Sequence, residues 1–212
     1  LSARSDLNEI GASAGINTMM ERYHYDLGGV EAGPESSPMR IKPEWRGSPP
    51  PKAEVEIVHI SGCDQSPVDL SDSDAALRVK SYVWPENAGR LERMDAAILL
   101  AAQKRPDVVK SDALDWVLKR LSAPQDAGVA RVFNHSIVWQ YIPAERRAAI
   151  TDAIEAHGRN ATAERPLVWM MLETNRETFK HELQIRYWPG PPQWHLLAEA
   201  QAHGTWVEWL EN

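Results

Sequence analysis

Apolar and polar positions along the chain change their period near residue 172. Before that point strand patterns alternate with helical ones. Leu7 and Ile10 lead into the small-residue turn Gly11-Ala12-Ser13-Ala14-Gly15, and Ile16 to Tyr23 predicts a short helix closing near Gly28-Gly29. Residues 30–52 carry six prolines, too many for a continuous helix or a central strand. They are expected to form an insertion, a lid-like excursion with Met39-Arg40-Ile41 as a short edge strand. The β-branched run Val55 to Ile60 predicts a strand, and residues 61–67 a turn. Ser71-Asp72-Ser73-Asp74 offers an N-cap for a helix through Tyr82, which Trp84-Pro85 breaks. From Ala88 to Lys104, Leu91, Met94, Ile98 and Ala101 fall on one helical face. Val108-Val109 reads as a brief strand, and Asp112 caps a helix with the stripe Leu114, Val117, Leu118 and Leu121. Gly128 to Phe133 is a further strand. Pro143 opens a helix at its first position, Ile150 and Ile154 face inward, and Gly158 ends it. Pro166 to Leu172 is nearly all apolar, as in the interior of a sheet.

Beyond residue 172 strand follows strand: Glu182 to Trp188, Trp194 to Ala200 and Thr205 to Trp209. The whole pattern predicts one α/β domain over residues 1–212, a Rossmann-like, doubly wound, mostly parallel sheet with antiparallel C-terminal strands.

Composition narrows the partners. With 30 acidic against 23 basic residues the net charge is −7, and the scattered basic residues argue against nucleic acid. A small-molecule ligand or another protein is the expected partner. No apolar run is long enough for a membrane span. Cys63 is the single cysteine, which rules out an internal disulfide framework and suits a reducing, cytoplasmic compartment. No HxH or HExxH spacing occurs among the histidines, so no metal is expected. The start at Leu1 lacks both an initiator Met and a signal-peptide pattern, so the chain is expected to be the C-terminal part of a longer one.

The chemistry concentrates in the first turn. A strand, a small-residue turn and a helix start can present backbone N–H groups and a helix dipole to a ligand. Gly11 and Gly15 either admit that ligand or let the strand pack closely on its helix. Glu9 either orders the turn or partners the helix dipole. Asp64 is a diol-binding carboxylate or a turn-forming residue ahead of Ser66-Pro67.

With the strands placed, Glu9-x-Gly11-x-x-x-Gly15 resembles the first motif of class I S-adenosylmethionine-dependent methyltransferases. Gly62-Cys63-Asp64-Gln65-Ser66-Pro67 is similar to the second motif of that family. The resemblance implies a methyltransferase-type Rossmann fold and S-adenosylmethionine as cofactor. Its methionine part would lie against Glu9, Gly11, Ala12, Ser13 and Gly15, its ribose on Asp64, and its adenine near Asp112. Asp112 serves equally as a helix cap. Three features depart from the family pattern. Ser13 replaces a middle glycine, the insertion lengthens the spacing between the motifs, and Asn134-His135-Ser136 stands where a substrate motif would follow the fourth strand.

More narrowly, Glu9 to Asn17, Val83-Trp84-Pro85, His135 to Tyr141 and His203 to Val207 resemble a bacterial family of uncharacterised proteins. That resemblance implies a helical region ahead of the motif and brings no established activity with it.

Past the fourth strand, His135 is a candidate general base, or a histidine bonded to backbone at a strand end. Asn134 and Ser136 are candidate substrate contacts. Trp139 and Tyr141 could stack on a substrate or fill the core. Two other readings compete. Gly11-x-Ser13-x-Gly15 also satisfies the nucleophile elbow of serine hydrolases, with Asp112 and then His135, His157 or His203 completing a triad. A methyltransferase-like scaffold without catalysis, serving binding or regulation, fits the same departures.

Overall fold

The computed structural model describes residues 3–83 and 88–210. The expected break at Trp84-Pro85 lies outside the described residues.

The first strand, β1 (Ala3–Ile10), lies inside the large sheet, third from one edge. A hairpin of β2 (His24–Leu27) and β3 (Val30–Ala32), with β4 (Arg40–Ile41), makes a separate three-stranded sheet. After β5 (Glu44–Arg46), β6 (Val55–Asp64) pairs with β1 in parallel. Helices α1 (Ser73–Ser81) and α2 (Ala88–Gln103) lead to β7 (Val108–Lys110), parallel to β6. Helix α3 (Ala113–Ser122) returns the chain to β8 (Val129–Ser136) on the other side of β1. Helix α4 (Ala144–Gly158) leads to β9 (Leu167–Thr174), parallel to β8. Strands β10 (His181–Trp188), β11 (His195–Ala200) and β12 (Trp206–Trp209) then add antiparallel.

The nine-stranded order is β5-β12-β11-β10-β9-β8-β1-β6-β7. This is an α/β fold with a large, mostly parallel central sheet and antiparallel C-terminal strands, as the change of period predicts. The order reverses between β1 and β8, the switch point at which open α/β sheets bind ligands.

Right-handed crossovers put α1 and α2 on one face and α3 and α4 on the other. Each face has its own core. Ile10, Cys63, Phe133 and Leu167 pack under Trp116 and Val117 of α3 and Ile150 and Ile154 of α4. Met19, Tyr23, Met39 and Leu70 pack with Ala97, Leu100 and Ala101 of α2.

Several local expectations change. Residues Asn17–Arg22 form a six-residue 3-10 turn rather than an α-helix, closed by i to i+3 bonds such as Met19 N–H to the Ile16 carbonyl. Gly28-Gly29 does not end a helix. Both glycines have positive φ (64° and 88°) in the two-residue loop joining β2 to β3, the geometry of a primed hairpin turn.

The Pro-rich insertion packs on the body of the protein through short strands. Met39 is buried, β4 pairs with β2, and β5 forms the far edge of the main sheet, pairing with β12 while Trp45 stacks on Trp209 at 6.0 Å. Proline ends these strands early but leaves each two or three residues to pair. Strand β6 runs on to Asp64, absorbing the first half of the expected turn. On α2 the buried face is Ala96, Ala97, Leu100 and Ala101, rotated from the expected stripe. On α3, Leu118 is exposed while Trp116 is buried. Pro143 is the N-cap of α4, one position earlier than expected.

Candidate functional site

The turn after β1 is knitted to β6 before any ligand arrives. Gly11 and Ala12 N–H both donate to the Cys63 carbonyl at 2.9 Å. Ser13 N–H donates to Asp64 Oδ2 at 2.9 Å, and Ser66 N–H to Asp64 Oδ1 at 2.8 Å. Gly15 N–H turns back to the Ala12 carbonyl. Most of the turn's donors are therefore used within the protein. The six-residue 3-10 turn behind it supplies no long helix dipole. To a ligand the turn offers small surface rather than a nest of free N–H groups.

Its glycines are set by conformation and by neighbours. Gly11 has φ 74° and a side chain there would collide with Val138, while one at Gly15 (φ 72°) would meet Pro106 and Val108. Ser13 is exposed and left-handed at φ 52°. Replacing Gly11 with alanine is expected to cost about 2 kcal/mol of stability, from left-handed strain and displacement of Val138. Thermal unfolding reads that cost, and an unchanged midpoint contradicts it.

Gly11, Asp64, Asp112 and Tyr141 come together around one cleft of about 250 Å3. Cys63, Ser111 and Pro143 also line it, with apolar surface from Ile10, Val138 and Ile142. Burial pushes the Cys63 thiol up to about 12, so it lines the cleft as an unreactive thiol. Asp112 caps α3, its Oδ1 accepting from Leu114 N–H at 2.9 Å. Tyr141 is exposed. A larger groove of about 450 Å3 lies beside Thr18, Met19, Ile57 to Ile60 and Lys104 to Asp107.

Glu9 projects from the other face of β1, in register with Asn134 on β8. Its side chain is buried. Oε1 accepts from Asn17 Nδ2 at 2.7 Å, whereas neither Glu9 Oε2 nor Asn134 Oδ1 has a partner. Burial pushes the Glu9 carboxyl up to about 7; the Asn17 bond opposes this and the Asp64 charge adds to it. Asn17 also approaches Ser136 Oγ at 3.4 Å. Glu9, Asn17, Asn134 and Ser136 thus form a polar group at the carboxyl end of the sheet. Asn17 comes two residues after Gly15, at the end of the Glu9 to Asn17 stretch, and nothing else in the sequence marks it as a site residue.

His135 lies in the α3/α4 core. Its Nδ1 faces Glu173 Oε1 at 2.7 Å, and its ring stacks on Trp139 at 4.6 Å between centroids. Glu173 Oε1 also accepts from Val138 and Trp139 N–H, fixing the turn after β8. The nearly all-apolar run of β9 gives no hint of this carboxylate's role. Trp139 packs further on Trp169. Among the described residues no histidine hydrogen-bonds Ser13. Also among them, no group of three or more His, Cys, Asp or Glu could hold a metal ion, and no helix is long and apolar enough to cross a membrane.

Among known proteins, the family described as "Uncharacterized protein conserved in bacteria (DUF2332)" matches residues 2–209. No curated protein and no solved structure matches the chain.

Proposed function

The chain belongs to that bacterial family, whose description names no activity, and from the site itself we propose that it binds S-adenosylmethionine in the cleft beside Gly11 and acts as a small-molecule methyltransferase. The observation that carries this reading is the meeting of Asp64 and Asp112 around one nucleoside-sized cleft at the switch point. The two residues come from the ends of the second and third parallel strands. Asp64 uses one lone pair of each oxygen on Ser13 and Ser66 and keeps others for a ribose diol. Asp112 Oδ2 is likewise left for an exocyclic amine.

The engaged N–H groups of the turn favour a cofactor with a sulfonium centre over a pyrophosphate, which would need those donors. When bound, the cofactor supplies an electrophilic methyl group. The chain's task is to align the acceptor with it, so few catalytic groups are needed. His135 is engaged by Glu173 in the core, and Glu9, whose carboxyl burial raises towards neutrality, stands on the other face of β1 from the cleft, so the acceptor's own acidity carries the proton loss.

Titration calorimetry with S-adenosylmethionine and S-adenosylhomocysteine is the test. Binding with a Kd on the order of micromolar is expected, weakened at least about tenfold in Asp64→Ala. Absence of binding heat from folded protein overturns the cofactor and leaves the scaffold reading. The hydrolase reading retains one favourable feature, the left-handed and exposed Ser13. Labelling of Ser13 by a fluorophosphonate would support it, and no labelling would remove it.

A further inference from the structure

A second cavity, of about 350 Å3, opens on the α1/α2 side of the sheet. It touches the β1 turn at its far end, where Ile16 and Asn17 line it, while Gly11 at the near end lines the first cleft. We propose that this second cavity binds a small apolar molecule carrying a carboxylate or similar anionic group, held by Arg90 and Arg93.

The body of the cavity is apolar. Met39 and Ile41 come from the small sheet and Met94 from α2. Tyr23 contributes ring surface, because its hydroxyl donates to the Ile16 carbonyl. The Pro-rich insertion therefore serves as a wall, folded against α2 by the buried Met39.

One side of the cavity is cationic. Arg90 and Arg93 stand one helical turn apart on α2, both lining the cavity, with His203 opposite on the loop after β11. Among the described residues neither guanidinium makes an ion pair or a hydrogen bond. Elsewhere Arg22, Arg120, Arg131 and Arg186 are all engaged by carbonyls or carboxylates. Like charges at i and i+3 repel. Burial and the nearby Arg90 and His181 hold His203 below its ordinary value, keeping it neutral beside the two cations. In a chain of net charge −7, two partnerless arginines converging on an apolar cavity are a site for an anion.

Asn17, itself exposed, also lines the cavity and donates a hydrogen bond to Glu9, which keeps an unpartnered oxygen. The anion of the ligand rests on the two half-buried arginines and its apolar body on Met39, Ile41 and Met94. The binding of such a ligand does not depend on the cofactor proposed for the first cleft.

Two dyes of matched aromatic body test it: 8-anilinonaphthalene-1-sulfonate, which carries the anion, and N-phenyl-1-naphthylamine, which does not. Fluorescence titration of the folded protein is expected to show one saturable site for the sulfonate dye. The double variant Arg90→Glu/Arg93→Glu should weaken it about tenfold or more, with the neutral dye little changed and the circular dichroism melt preserved. Asp64→Ala should leave dye binding intact, which separates this site from the cofactor cleft. Octanoate should displace the sulfonate dye. Equal response of both dyes to charge reversal, displacement failing at saturating octanoate, or no saturable site would each overturn the proposal.

Discussion

Substituting Arg131 with methionine is expected to lower the free energy of unfolding by about 4 kcal/mol. Arg131 is 1% exposed on β8, yet carries a charge. Its Nη1 donates to the Leu121 carbonyl at 3.2 Å, and its Nη2 to those of Ala123 and Pro124 at 3.0 and 2.8 Å. These carbonyls lie at the end of α3 and just past it, where a helix leaves its acceptors without internal partners. One guanidinium therefore closes the helix from inside the core.

Its Nε lies 3.7 Å from Asp6, a carboxylate also gripped by Arg120 at 3.0 Å and facing His59 at 2.9 Å. Methionine fills similar volume, so the loss reflects unmet carbonyls and a thinned charge cluster rather than a cavity. Arg131→Lys should recover only part, because an ammonium lacks the planar fork that reaches three carbonyls. Urea unfolding at unchanged m-value measures both. A loss below about 1 kcal/mol for the methionine variant would show that the carbonyls find other donors.

The legible and illegible parts of this chain divide by the range of the forces involved. Strand and helix identities follow from local period: β6, β8, α3 and α4 stand where β-branched runs and i, i+3, i+4 stripes put them. Caps are equally local, and Asp72 and Asp112 accept the N–H groups their positions promise. Tertiary contact decided the features that local pattern missed. The insertion at 30–52 reads as an excursion because proline hides strand signals, and only pairing with β12 makes Glu44–Arg46 a strand. Leu118 belongs to a regular stripe, but the helix rolls to bury the larger Trp116.

For the site, the turn, Asp64 and Asp112 could be located because strand ends in an α/β sheet share one edge. Charges that meet only through packing could not. Nothing local to Arg90 or Arg93 points to a cavity whose other walls come from residues 16–41 and 203. Glu173 reaches His135 across two adjacent strands, a pairing that only register reveals.

Replacing Glu9 with glutamine should stabilise the protein by about 3 kcal/mol at pH 8 and leave it near parity at pH 5. The carboxyl is raised from 4.5 to about 7, chiefly by burial. Below the lower value both folded and unfolded chains hold the proton, and above the upper value neither does. Between them the folded state holds more protons, so wild-type stability falls as pH rises across that window and stays low above it.

Glutamine removes the charge and keeps its oxygen for Asn17. Its NH2 takes the place of the unpartnered Oε2 beside the unpartnered Asn134 Oδ1, in register on the next strand. Two orphaned acceptors become a donor and an acceptor. Denaturant unfolding at the two pH values checks the sign, and a variant less stable than wild type at pH 8 would mean that Oε2 already has a favourable partner. A fold that keeps a destabilising carboxylate one hydrogen bond away from Asn17, which lines the arginine-bearing cavity, is giving up stability where a proton can be held.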